Sequence, residues 1–275
     1  LITAPFTYKR AASIAEALGL AADNGEEAKF LAGGHSLLPL MKLRLAVPDV
    51  LIDIGRLAEL RYVRDEGGYV AVGALTTHDE VARSAVLAAH VPLLAHAAGR
   101  IGDPQVRHRG TIGGSLAHAD PAADLPAVVL ALDATLVARG PGGTREIAAG
   151  EFFSDLFETA LQPAELLTEI RVPKGNGGGW SFQKFSKRGI DWAIVGVAVQ
   201  AGSVTLINMG STPIRAAAVE AALASGASPR DAAAHAAEGT SAPDDLNGSR
   251  KYREHLARVL VGRALEESRA GSRPG

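Results

Sequence analysis

Residues 101–126 read IGDPQVRHRGTIGGSLAHADPAADLP. This stretch has almost no helical or strand periodicity, yet it sits between apolar segments. At its centre, Thr111-Ile112-Gly113-Gly114-Ser115 places adjacent glycines between hydroxyl residues. Earlier in the chain, Ala32-Gly33-Gly34-His35-Ser36 repeats that chemistry. Glycine admits positive φ and lets backbone approach a ligand closely. Consecutive backbone N–H groups in such turns form an anion-binding concavity. Either cluster alone reads as an ordinary glycine turn of an α/β protein. Together, with matched hydroxyl donors and a preceding apolar stretch each, they suit the two phosphates of a dinucleotide held from opposite sides.

Other glycine motifs fail on particular residues. Gly34-His35-Ser36 has the start of a hydrolase nucleophile elbow, but that tight turn needs a glycine where Leu38 stands. There is no G-x-G-x-x-G and no Gly-Lys dipeptide, so neither a Rossmann fingerprint nor a Walker phosphate loop is present. A dinucleotide would have to be bound by another fold.

Composition narrows the function classes. The 275 residues are 47% apolar, enough for a sizeable core, and a net charge of −2 gives no reason to expect nucleic acid or an anionic membrane as partner. No apolar run reaches spanning length and no signal peptide precedes Ala4-Pro5-Phe6, so a cytoplasmic location is expected. The chain has no cysteine, which excludes disulfides, a thiol nucleophile and a cysteine-ligated iron–sulfur cluster within it.

Taken in order, Ser13-Ile14-Ala15-Glu16 reads as a capping box opening a helix to about Asn24. A short strand at 29–31 runs into the first glycine cluster, residues 37–45 show no clear period, and 50–54 reads as a buried strand. A strand at 69–75 precedes a second capping box, Thr77-His78-Asp79-Glu80, with a helix from near Asp79. Another helix covers 92–99. Asp124-Leu125-Pro126 reads as an N-cap followed by proline in the first turn. Strands at 134–138 and 145–148 flank a glycine-rich hairpin, and 165–172 alternates as a strand. Gly175-Asn176-Gly177-Gly178-Gly179 is the best linker. Beyond it, strands at 180–186, 193–200 and 204–209 precede helices at about 214–224, 229–237 and 248–267, a smaller α+β unit. In the last helix, Tyr252, Leu256, Val259, Leu260 and Arg263 form a stripe read as core. The tail from Ser268 is expected to fray.

At this point the residues carry a resemblance. Ala32-Gly33-Gly34-His35-Ser36-Leu37-Leu38-Pro39 with Met41-Lys42-Leu43-Arg44 resembles the first FAD loop of the medium subunit of molybdenum hydroxylases, the family of the aerobic carbon monoxide dehydrogenase and xanthine dehydrogenase flavoproteins. Residues 101–107 and 109–115 resemble the second loop. Lys184-Phe185-Ser186-Lys187-Arg188 with Asp191-Trp192-Ala193 resembles the start of the C-terminal domain. The similarity covers nearly the whole chain.

The resemblance implies an α+β chain: a two-subdomain FAD-binding fold of the vanillyl-alcohol oxidase (PCMH) type, plus a smaller C-terminal α+β domain with a three-stranded antiparallel sheet. The expected division is 1–57, 58–174 and 175–275. Ala32, Gly33, Gly34, His35 and Ser36, with Thr111, Ile112, Gly113, Gly114 and Ser115, would hold the pyrophosphate. His35 would contact FAD or a partner's cluster, or simply stabilise its turn. Ile101 would pack near the flavin, Asp124 would accept a hydrogen bond from the cofactor, and Leu167 would contact the isoalloxazine region. Lys184 would lie near the flavin pyrimidine end, with Gln183 the alternative in that register. Two positions depart from the pattern: Ser115 stands where the carbon monoxide enzymes often have aspartate, and Trp192 where an aromatic, often tyrosine, covers the flavin in some relatives.

Without cysteine, the chain would depend on [2Fe-2S] clusters of a small partner subunit, with the molybdopterin cofactor on a large one, in a heterotrimer expected to dimerise. The implied role is an oxidoreductase subunit passing electrons from those clusters to FAD and on to quinone, NAD or oxygen, with no catalytic or metal-ligating residue of its own. The alternatives are a free-standing FAD oxidase or dehydrogenase and a non-catalytic nucleotide-binding regulatory domain. The loop pair His118-Ala119-Asp120 lacks a third ligand at metal spacing and reads as loop bracing.

Overall fold

The protein is represented by a computed structural model that describes residues 2–175 and 178–271; Asn176 and Gly177 of the glycine-rich linker and the tail beyond Gly271 lie outside the described residues. The chain opens with a parallel three-stranded sheet. β1 (Thr7–Arg10) and β2 (Ala28–Leu31) flank β3 (Val50–Asp53), with Thr7 and Ala28 both in register with Val50. α1 (Ile14–Asn24) covers this sheet, burying Ile14, Ala17 and Ala21 with Val50 and Ile52. Ser13 Oγ caps α1 by accepting the Glu16 N–H, while the Glu16 carboxylate reaches back to Ala12 N–H rather than to that of the cap itself. α2 (Leu37–Lys42) forms where no period was legible: Met41 alone is buried, so the helix has no apolar stripe to show.

β4 (Val63–Asp65) and β5 (Tyr69–Gly73) lead into a run of helices, α3 (His78–Arg83), α4 (Ala85–His90), α5 (Pro92–Gly99), α6 (Pro104–Arg107), α7 (Ile112–His118) and α8 (Asp124–Ala131). The Thr77–Glu80 capping box is complete, and α3 begins at His78. The chain returns through β6 (Thr135–Gly140), β7 (Gly143–Ala148), a short α9 (Ala149–Phe152), the small hairpin of β8 (Phe153–Asp155) and β9 (Glu158–Thr159), and β10 (Leu166–Pro173). These make an antiparallel five-stranded sheet in the order β4-β5-β10-β6-β7.

The third sheet is antiparallel, β11 (Trp180–Phe185), β12 (Val195–Gln200), β13 (Ser203–Ile207) and β14 (Ile214–Arg215), followed by α10 (Ala217–Ala224), α11 (Pro229–Ala233) and α12 (Arg250–Arg269). It therefore has four strands rather than the expected three: Ile214 and Arg215 pair with Leu206 and Thr205 before the helix begins at Ala217. In α12 the buried face runs through Arg253, Leu256, Ala257, Leu260, Val261, Ala264 and Leu265, whereas Tyr252 and Arg263 of the expected stripe are exposed. The stripe is out of phase because its true first member is an arginine.

α8 packs on the four-stranded sheet and shares one buried cluster with β5, β6 and β10 of the five-stranded sheet. All its residues are buried, and it packs on α5 as well as on β12 and β13. Thr205 Oγ1 donates to Ala127 O at 2.8 Å, Asn208 N–H to Pro121 O at 2.9 Å, and Arg215 to Leu130 O at 2.7 Å. Burying Leu125, Val128, Val129 and Leu130 contributes roughly 1.5–3 kcal/mol each. The N-cap of α8 is Ala123 rather than Asp124, because the Asp124 side chain is drawn away to an ion pair.

Candidate functional site: two glycine loops and a buried ion pair

The two glycine clusters meet. A Cβ built on Gly33 would lie 2.1 Å from the carbonyl oxygen of Arg109 and 2.9 Å from the Gly110 Cα, and one on Gly114 would sit 3.9 Å from the Ala32 Cβ. Backbone thus touches backbone where any side chain would force the loops apart. In the first loop, Gly34 takes φ +78°, and among the described residues the backbone N–H groups of Gly33, Gly34, His35 and Ser36 have no acceptor within the chain. A run of unpaired N–H groups in such a turn is an anion nest.

The second cluster differs from the expected turn. Thr111 is the N-cap of α7, its Oγ1 accepting the Gly114 N–H at 3.1 Å. Ile112 N–H donates to Thr76 O, Gly113 N–H to Ala74 O and Ser115 N–H to Thr111 O. Most of its N–H groups therefore serve the fold. Gly113 lets the loop pack tightly on the segment after β5, because a Cβ on it would lie 2.5 Å from that of Ala74. Glycine's low helix propensity hid α7 in the sequence.

Beneath the contact lies His78, which the sequence reading used only as part of a capping box. It is 5% exposed, and a Cβ on Gly110 would lie 2.8 Å from its Cδ2. Its Nδ1 is buried without a partner among the described residues. Burial, then the nearby His35 and Arg107 charges, pulls its pKa down to about 4. Arg107 extends the connection: its guanidinium donates to Ile101 O and Gly102 O, both at 3.0 Å. Ile101 packs against the main core that includes Ile112, Leu125 and Leu167, and α7 packs on β10, which carries Leu167. Leu167 itself is only 4% exposed.

At the far end of the same loop, Lys184 Nζ donates to Asp124 Oδ2 at 2.7 Å, with both side chains 4% exposed, and also reaches Arg100 O at 3.4 Å. The neighbouring Gln183 turns the other way, to Glu267, as alternation along a strand requires. Asp124 Oδ1 is buried with no partner among the described residues. Burial raises the Asp124 pKa to about 6 in spite of the opposing Lys184 and Arg100 charges. An unmade hydrogen bond at a buried acceptor costs about 1–3 kcal/mol, so this oxygen is placed for a donor from outside the chain. His118 is not a ligand cluster member: it packs on Phe157 with ring centroids 5.1 Å apart, while Asp120 braces the turn by accepting Ala122 N–H. Trp192 is 59% exposed, on the surface loop after Lys184.

Comparison with known proteins places this chain in a flavoprotein class. Residues 4–175 match the family model "FAD binding domain in molybdopterin dehydrogenase" and residues 180–268 the "CO dehydrogenase flavoprotein C-terminal domain". The chain is 41% identical to the carbon monoxide dehydrogenase medium chain of Hydrogenophaga pseudoflava, covering 96% of this chain and 97% of that one. It is 40% identical to 6-hydroxypseudooxynicotine dehydrogenase complex subunit alpha of Paenarthrobacter nicotinovorans, over 98% and 96%. The solved carbon monoxide dehydrogenase of Hydrogenophaga pseudoflava lacking the Mo-pyranopterin moiety superposes with a TM-score of 0.94 at 42% identity, over 98% of this chain and 99% of that one. The chain belongs to the FAD-binding medium subunits of molybdenum-containing dehydrogenases.

Proposed function

We propose that this chain binds FAD through Ala32, Gly33, Gly34, His35, Ser36, Ile101, Thr111, Ile112, Gly113, Gly114, Ser115, Asp124, Leu167 and Lys184, and relays electrons through it. The observation that carries this reading is the face-to-face contact of the two glycine loops. The unpaired N–H groups of the first loop fit a pyrophosphate, with Thr111 and Ser115 closing the other side. The orphaned Asp124 Oδ1 fits a donor on the cofactor, and Ile101 and Leu167 supply the apolar wall. FAD supplies the capacity to accept electrons singly and pass on a pair.

The electrons would come from [2Fe-2S] clusters of a small subunit, filled in turn at the molybdopterin cofactor of a large subunit, the three forming a heterotrimer that pairs into a dimer. The cysteine-free sequence supports outside clusters, because no thiolate is available here to hold one. Quinone, NAD or oxygen would take the electrons onward. A cytoplasmic location fits a chain in which no helix among the described residues is long and apolar enough to cross a membrane. We divide the chain at residues 57 and 174, a division that fits the succession of the three larger sheets.

The test is anaerobic. The FAD-loaded chain is expected to bleach when mixed with a reduced [2Fe-2S] ferredoxin-type protein, and to oxidise no alcohol, amine or aldehyde unaided. Turnover of such a substrate by the isolated chain would instead establish a free-standing oxidase.

A further inference from the structure

Asp124 and Lys184 form a buried ion pair. It lies across the junction of α8 and β11, hidden from solvent, and one carboxylate oxygen is left without a partner. A continuous set of contacts places it along the cofactor site. His78 packs under the loop contact, Arg107 stands beside His78 and holds Ile101 O and Gly102 O, and Lys184 reaches the preceding Arg100 O. On the FAD reading above, the glycine cradle takes the pyrophosphate and the pair would lie towards the flavin.

We propose that Asp124 is a redox-linked proton acceptor: for each electron pair delivered to the bound flavin, its carboxylate takes one proton from solvent. This proton is additional to any bound by the flavin ring. The carboxylate becomes a carboxylic acid, Lys184 stays an ammonium, and the electrons come from a one-electron iron–sulfur donor or, in the test, from dithionite. The inference rests on the FAD reading above.

The physical reason is like-charge repulsion in a dry site. Electrons added beside a buried carboxylate disfavour its ionised form. Burial has already raised Asp124 to about 6 in the FAD-free chain; a cofactor donor on Oδ1 would lower it, and negative charge arriving on the flavin would raise it again. The opposing charges are few. Lys184 from β11 and Arg100 from the end of α5 face Asp124 directly. His96 on α5, His118 on α7, Glu151 on α9 and Arg215 on β14 are the other ionisable groups on the elements packed around α8, and Arg215 is held at the far end by Asp133. The facing strands β12 and β13 carry no ionisable side chain.

Spectroelectrochemical titration of the FAD-loaded chain between pH 6 and pH 8 tests this. The midpoint potential of the unaltered protein should fall more steeply with pH than that of Asp124→Asn. The excess corresponds to one proton per electron pair, a tenfold change in equilibrium constant per pH unit or about 30 mV. Lys184→Gln should move the steep segment to higher pH, because Asp124 loses its cation. Redox-difference infrared spectroscopy of the unaltered protein gives a second measurement, needed if Asp124→Asn fails to fold: a protonated-carboxyl C=O band should appear on reduction. Asp124 is the one buried Asp or Glu among the described residues, and a shift of the band on ¹³C-aspartate labelling ties it to an aspartate. Equal pH slopes, or no carboxyl band on reduction, overturn the proposal. A chain that binds no FAD at all sinks the functional reading itself, so the two failures are distinguishable.

Discussion

Gly33 occupies a position where no side chain fits. Its missing Cβ is the space in which the Arg109 carbonyl sits, so Gly33→Ala must separate the two loops. We expect that substitution to weaken FAD binding at least tenfold, measured by quenching of flavin fluorescence, with the circular dichroism spectrum unchanged; an unaltered affinity would contradict the cradle. Beneath it, His78 makes a second residue-level prediction. Its folded pKa of about 4 lies below the ordinary histidine value of 6.5. The unfolded chain therefore binds the proton more readily between those values. Stability is complete above pH 6.5 and is lost as pH falls towards 4, by about 3 kcal/mol at the conversion of 1.36 kcal/mol per unit. Urea unfolding of the FAD-free chain across this range should show that slope, and His78→Leu should flatten it.

At the scale of elements, α7 and α8 set the site. Thr111→Val keeps the side-chain shape but removes the cap of α7, and should lower stability by about 1 kcal/mol while loosening the second loop. A chemical denaturation curve identical to that of the unaltered chain would show that the cap is idle. Leu125→Ala on α8 should cost about 2–5 kcal/mol, because the residue is fully buried. The loss should appear as one transition seen alike by tryptophan fluorescence, which reports on the C-terminal unit, and by far-ultraviolet circular dichroism, which reports on the whole chain, since α8 shares a core with both larger sheets; two separate transitions would refute that sharing. These elements were unevenly legible. Thr77 and Glu80 announced α3 because both halves of the box lie in four consecutive residues. α2 and α7 did not announce themselves, one lacking an apolar stripe and the other holding glycines in its first turn. Asp124 looked like a cap, and only the fold could bring Lys184 to it from β11.

Over the whole molecule, the sequence read best where chemistry is local and worst where it depends on long-range pairing. The glycine clusters could be recognised by composition, but not that the first leaves its N–H groups free while the second spends them on the segment around Ala74 and Thr76. Arg253 shows the same limit. It is fully buried, donates to Ile194 O and pairs with Asp245 at 2.7 Å, yet an arginine on a helix reads as a solvent-facing residue. The functional role of the molecule depends on the two loops holding a dinucleotide between them. Titration of the purified chain with FAD, followed by absorbance and by the flavin retained after desalting, measures this most directly. One FAD per chain, lost on Gly33→Ala, is the predicted result; a chain that stays colourless in excess FAD would contradict it.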